Sequence, residues 1–235
     1  MRFVRSAFNE EQLIASSTII PSGRFPLPYL ERLPNSTSDS TPLLIMLHGR
    51  AARAETIFSV EGLLDKAFHI ISIQGTYPSP KGEFEWFLPY DYGHPLESFT
   101  EEHFRESERI LTEMIIALLK EKNISEEHLF LMGFSQGSAM SHILSLRGNI
   151  KPKGVIAMSG FFPRPIIQWS TLNKSSRFLI THGTVDEVLP ESESIFAHDF
   201  LASKGISSEY YSYKGRHKMT IPLLKHTDTW IKQNI

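Results

Sequence analysis

Residues 129–146 read LFLMGFSQGSAMSHILSL. Four apolar residues lead into a serine flanked at one remove by two glycines. Beyond it, Met140, Ile143 and Leu144 recur at helical spacing. The order strand, tight turn, helix follows from that pattern. Gly133-x-Ser135-x-Gly137 in this setting is the nucleophile-elbow signature. The chemistry needs these residue types. A serine held at positive φ lifts its hydroxyl clear of the sheet, glycines on either side leave room for the chain to double back, and the new helix aims backbone N–H groups at the site.

The same alternation extends along the chain. Short apolar runs occur at LLIML (43–47), HIISI (69–73), LFLM (129–132), VIAM (155–158) and FLIT (178–181), with the aromatic SEYYSY at 208–213. Runs apolar on both faces are expected of strands covered by helices on each side. A long amphipathic helix is predicted over 101–122, with Phe104, Leu111, Met114, Ile115, Leu118 and Leu119 on one face and Asn123 as its stop. Further helices are predicted near 54–66, 136–147, 190–204 and 219–233. The implied fold class is α/β, with a mainly parallel, doubly wound sheet and helices on both faces. PYLERLP (28–34) and LLIML, joined by the turn-rich PNSTSDSTP (34–42), are expected to form an antiparallel hairpin at one sheet edge.

Composition narrows the function classes. The chain has 235 residues, a length that suits one domain over 1–235, with 1–40 as an N-terminal extension or edge strands. Net charge is −2, from 24 basic and 26 acidic residues, which argues against a nucleic-acid platform. The absence of cysteine removes disulfides, zinc–thiolate sites and thiol nucleophiles together. The N-terminus lacks the apolar core of a secretory signal. No stretch approaches the roughly 18 apolar residues that cross a bilayer. The expectation is a soluble cytoplasmic protein without membrane insertion.

A serine hydroxyl alone is a poor nucleophile at neutral pH and needs a base oriented by an acid. On this fold the chain order is Ser, acid, His. In RFLITHGTVDEVLP (177–190) Asp186 is the first carboxylate after the strand, with Glu187 its rival. His217, in KGRHKM (214–219), lies in the loop after the last strand. Among the ten histidines, His198 and His226 fall within predicted helices. His182 precedes the acid and is a weaker base, and His48 reads as structural. Two backbone N–H groups are expected to hold the oxyanion: that of Gln136, directly after the nucleophile, and that of Arg50, in the loop after LLIML. The aromatic stretches GEFEWFLPYDY (82–92) and GFFP (160–163) suggest an apolar acyl pocket using Trp86, Phe87 and Phe161. No insertion of 50 or more residues marks a separate cap domain.

These segments together resemble a known family. LHGR (47–50), WF (86–87), GFSQGSAM (133–140), SG (159–160), HGTVDEVLP (182–190) and GRH (215–217) occur in the order found in the compact α/β-hydrolase carboxylesterases. That group includes acyl-protein thioesterases and lysophospholipase-like enzymes. The resemblance covers roughly residues 43–220. It implies Ser135 as nucleophile, Asp186 as acid, His217 as base, and Arg50 and Gln136 as oxyanion donors. It also implies a small-molecule ester or thioester substrate such as a lysophospholipid, or an acyl-protein thioester, with no metal or organic cofactor. The alternatives are a dienelactone- or peptidase-type hydrolase, or a ligand-binding pseudo-hydrolase. One departure stands out. Family members continue HGxG, whereas here the stretch is His48-Gly49-Arg50-Ala51. If that position needs positive φ, Ala51 costs on the order of 1 kcal/mol.

Overall fold

The computed structural model describes residues 18–20, 25–38, 40–80, 82–89, 98–164, 166 and 171–235. In chain order the elements are β1 (Thr18–Ile20), β2 (Tyr29–Arg32), β3 (Leu43–Leu47), α1 (Ala54–Phe58), β4 (His69–Ile73), β5 (Tyr77–Pro78), β6 (Phe84–Glu85), α2 (Glu101–Lys122), β7 (Leu129–Phe134), α3 (Gln136–Leu146), β8 (Gly154–Met158), β9 (Arg177–Gly183), α4 (Ser192–Ser203), β10 (Ser208–Tyr213) and α5 (Ile221–Gln233). Eight strands form one sheet in the order β1-β2-β4-β3-β7-β8-β9-β10, and β5 pairs with β6 separately. Strands β4 through β10 in that order run parallel, while β1 and β2 are antiparallel additions at one edge.

The sheet is buried on both faces, and the strand sequences show how. In β3, Leu43, Ile45 and Leu47 enter one apolar cluster, together with Leu111 and Met114 of α2 and Met140 and Ile143 of α3. Leu44 and Met46 enter the other, with Ile57 and Phe58 of α1 and Leu223 and Trp230 of α5. Strand β7 repeats the division: Leu129 and Leu131 on one side, Phe130 and Met132 on the other. A period-two chain with apolar residues at every position has no solvent face, so helices must cover both sides. Each such buried aliphatic side chain contributes about 1.5–3 kcal/mol relative to exposure. Helix α2 buries the expected stripe and stops at Asn123, whose φ of 53° is the left-handed cap conformation.

Two local expectations are corrected. Strand β2 does not pair with β3. It pairs antiparallel with β4, Tyr29 opposite Ile73, and β4 lies between them. The reason is handedness. The chain winds outward from β3 through α1 to β4 on one side, then back through α2 to β7 on the other, with the two helices on opposite faces. Right-handed crossovers of this kind put a parallel strand on each flank of β3 and leave no place for a hairpin there. The helix predicted over 54–66 is also shorter. It ends at Phe58 and is followed by a single 3-10 turn at Glu61–Leu63, where Gly62 weakens helical propensity. The reversal of winding at β3 matters for function, because ligands on such sheets bind at the carboxyl ends of the strands beside the switch point.

Candidate active site

Ser135 stands between β7 and α3 with φ 54° and ψ −114°. A non-glycine residue in such a conformation costs of order 1–3 kcal/mol and persists only where its surroundings hold it. Here they do. The Ser135 N–H donates to the Met158 carbonyl at 2.9 Å, extending the β7–β8 ladder by one residue, and the Ser135 carbonyl accepts from Ser138 N–H at 3.0 Å, starting the helix. A Cβ on Gly133 would overlap the carbonyl of Gly137, and one on Gly137 would overlap the carbonyl of Leu47. The two glycines are therefore steric requirements of the turn.

Asp186 and His217 meet across the next loops of the same edge. The His217 Nδ1–H donates to Asp186 Oδ2 at 2.7 Å, and the carboxylate is 1% exposed. The other oxygen, Oδ1, accepts from the N–H groups of Val188 at 2.8 Å and Leu189 at 3.0 Å. Burial pushes the Asp186 pKa up. The Leu189 N–H, the His217 hydrogen bond and the Val188 N–H outweigh it, so the carboxyl is held below its usual value. Glu187, the rival acid, is exposed and faces the exposed Arg216 at 3.6 Å. The ring of His217 packs against that of Phe134, the residue before Ser135, with centroids 4.8 Å apart. The fold thus brings the serine turn and the histidine loop together. His182 is fully buried. Its Nε2–H donates to the Leu189 carbonyl at 3.1 Å and its Nδ1 accepts from Ser194 at 2.7 Å, which commits both nitrogens to structure.

A cavity of about 60 Å³ opens beside the serine, lined by Arg50, Phe87, Pro89, Ser135, Gln136, Phe161, Val188 and Leu189. Five sequence-selected residues, Arg50, Phe87, Ser135, Gln136 and Phe161, therefore line one space. Trp86 is the correction. It is fully buried and does not line the cavity. Its indole Nε1–H donates to the His48 carbonyl at 2.8 Å. Being next to Phe87 in sequence did not put it in the pocket, because the two lie in a bend after β6 where the Trp86 indole is held by the His48 carbonyl. Val188 and Leu189 were not singled out from sequence, although they lie two and three residues after the acid in VDEVLP. Tyr90, Asp91 and Tyr92 of the aromatic stretch lie outside the described residues. Among the described residues no group of three or more His, Asp or Glu is arranged to hold a metal ion. Nor is any helix there long and apolar enough to cross a membrane.

Ala51 has φ 49°, so the position that departs from the family glycine does carry a left-handed backbone. Ala51→Gly is expected to stabilise the protein by about 1 kcal/mol, the left-handed penalty of an L-residue less the extra freedom of glycine when unfolded. A denaturant midpoint that falls in the variant would contradict this.

A mainly parallel doubly wound sheet with a serine elbow at the carboxyl end of a central strand defines an α/β-hydrolase. Residues 31–235 match the model of the phospholipase/carboxylesterase family, and the chain belongs to that family. It is 33% identical over 112 residues to acyl-protein thioesterase 1 homolog 1 of Dictyostelium discoideum, a match covering 47% of this chain and 50% of that protein. It is 28% identical over 162 residues to the carboxylesterase SOBER1 of Arabidopsis thaliana, covering 64% of this chain and 68% of that one. The chain therefore matches only half the length of the first relative. The crystal structure of the Bacillus cereus carboxylesterase aligns with a TM-score of 0.79 at 18% identity, covering 92% of this chain and 97% of that one, a likeness of fold.

Proposed function

We propose that the chain is a serine hydrolase that cleaves acyl esters or thioesters by two-step transfer of the acyl group to water. The observation that carries this reading is the strained Ser135 lining an apolar cavity, with His217, bonded to Asp186 at 2.7 Å, packed on the neighbouring Phe134. The His217 Nε2 takes the Ser135 proton as Oγ attacks the carbonyl carbon. The oxygen, now negative, is held by the N–H groups of Arg50 and Gln136. As first residue of α3, Gln136 has no carbonyl four residues back within the helix to bond. His217 then gives its proton to the departing alcohol or thiol. Water, deprotonated by the same imidazole, releases the acid and restores Oγ–H. Asp186 stays ionised throughout, holds the tautomer and stabilises the imidazolium. Phe87, Phe161, Val188 and Leu189 take the acyl chain. The relatives named as an acyl-protein thioesterase and a carboxylesterase support both leaving-group classes.

Treatment with a fluorophosphonate probe tests the reading. The expected result is rapid, stoichiometric modification mapped by mass spectrometry to Ser135, together with hydrolysis of p-nitrophenyl esters and acyl thioesters. A protein that binds short-chain esters but neither turns them over nor reacts with the probe would be a pseudo-hydrolase. Faster cleavage of amides than of matched esters would point instead to a peptidase.

A further inference from the structure

We propose that His48 and Trp86 are positioning residues for the oxyanion hole. In this role they aim the Gly49–Arg50 peptide and tie it to the second donor at Gln136. The inference rests on the hydrolase reading above and adds residues that never touch the substrate.

His48 follows β3 and is fully buried. The N–H of Gly75 donates to its Nε2 at 2.8 Å, so that nitrogen carries the lone pair and the ring proton is on Nδ1. The Nδ1–H donates to the carbonyl of Gly49 at 2.7 Å. Across a trans peptide the C=O and the following N–H point in opposite directions. Anchoring the Gly49 oxygen therefore sets the direction of the Arg50 N–H. Burial pushes the His48 pKa down to about 4, so the ring is neutral and the tautomer constant at neutral pH.

The preceding peptide is fixed as well. The Trp86 Nε1–H donates to the His48 carbonyl at 2.8 Å, with the two rings 5.0 Å apart. From Trp86 the chain of bonds reaches the other half of the site. The Trp86 backbone N–H donates to Gln136 Oε1 at 2.7 Å, and Gln136 Nε2–H donates to the Phe87 carbonyl at 2.8 Å. One buried network thus spans both candidate donors. It also faces a specific load, because Ala51 adds left-handed strain directly after Arg50.

The test compares Trp86→Phe, which keeps an aromatic ring but loses the indole N–H and part of the ring volume, with His48→Ala and His48→Asn. Asparagine places an N–H donor near the position of Nδ1. Each is assayed with p-nitrophenyl butyrate for kcat and KM, with an alkyl trifluoromethyl ketone that forms a tetrahedral adduct on an active serine, and by thermal unfolding, beside wild type and Ser135→Ala. Trp86→Phe and His48→Ala are expected to lower kcat by about 10- to 100-fold with KM nearly unchanged, since a donor misplaced by about 1 Å costs on that order. Ketone affinity should fall by the same factor, and His48→Asn should recover most of the loss. Variants that unfold at lower temperature yet keep kcat and ketone affinity would overturn the proposal. So would a loss of kcat with unchanged ketone affinity. Should His48→Ala fail to fold, Trp86→Phe decides alone. If wild type is active and Ser135→Ala is not, a null result in the other variants removes only the positioning inference. If wild type itself turns over no ester, both readings fall.

Discussion

Ser135→Ala is expected to lower kcat for p-nitrophenyl esters by about 10⁴- to 10⁶-fold while leaving the fold intact. On the proposed mechanism, loss of Oγ removes the atom that carries the acyl group, and water deprotonated by His217 would be a weaker, unplaced substitute. The fold should survive because the turn is held by backbone bonds, Ser135 N–H to Met158 and Ser138 N–H to the Ser135 carbonyl, which alanine retains. Glycine neighbours, rather than the hydroxyl, make the turn sterically feasible. The measurement is steady-state kinetics paired with a denaturation curve. A variant within tenfold of wild type would mean that the reaction does not pass through Ser135.

Acidification should destabilise the protein by roughly 2–3 kcal/mol between pH 7 and pH 4.5 through His142 alone. This histidine lies on α3 inside the core, its ring stacked 5.6 Å from that of Phe178 and edge-on to Phe162 at 5.1 Å. Among the described residues its Nδ1 has no hydrogen-bond partner. Burial pushes its pKa down to about 3, against about 6.5 in an unfolded chain. The sign follows from proton uptake. Between those two values the unfolded chain binds a proton that the folded chain refuses, so stability rises with pH across that window. It is fully present above about pH 6.5 and lost progressively as pH falls toward 3. His142→Leu should flatten the pH dependence by that amount, with little change at pH 7, because an apolar residue of similar size replaces an imidazole with an unbonded nitrogen. Carboxylates held low in the fold, Asp186 and Glu31 among them, also lose stability in acid, but they are common to both proteins and cancel in the difference. Parallel curves of urea midpoint against pH for wild type and variant would refute the assignment.

The chemistry of the site was more legible in the sequence than its packing. Ser135, Asp186 and His217 were each singled out as candidates from a residue type at a strand end, and such positions follow from local patterns: a glycine-flanked serine, the first carboxylate past FLIT, a histidine past SEYYSY. Phe87 and Phe161 do line the cavity, but Trp86 does not. Nothing local separates Trp86 from Phe87, because which of two adjacent aromatics turns inward depends on what lies behind the loop. His48 read as structural, and its contacts are structural in kind. The bond to Gly49 that gives it a further role spans only one residue, yet the tautomer that makes it a donor is set by Gly75, 27 residues away. The hairpin expected between residues 28–34 and 43–47 failed for a related reason. Closeness in sequence favours pairing, but the crossover through α1 placed β4 in that position.

By itself the sequence determined the alternation of strands and helices, because apolar residues at every strand position demand cover on both faces. It also determined the turn at Ser135, because only glycine at 133 and 137 leaves room for it. The tertiary structure alone decided strand order, the shape of the cavity, and the network that ties His48, Trp86 and Gln136 together. Those depend on contacts between segments far apart in the sequence, such as Leu43 with Leu129 and Trp86 with Gln136. Such contacts arise from crossover handedness and from burial of specific donors, neither of which leaves a periodic trace along the chain.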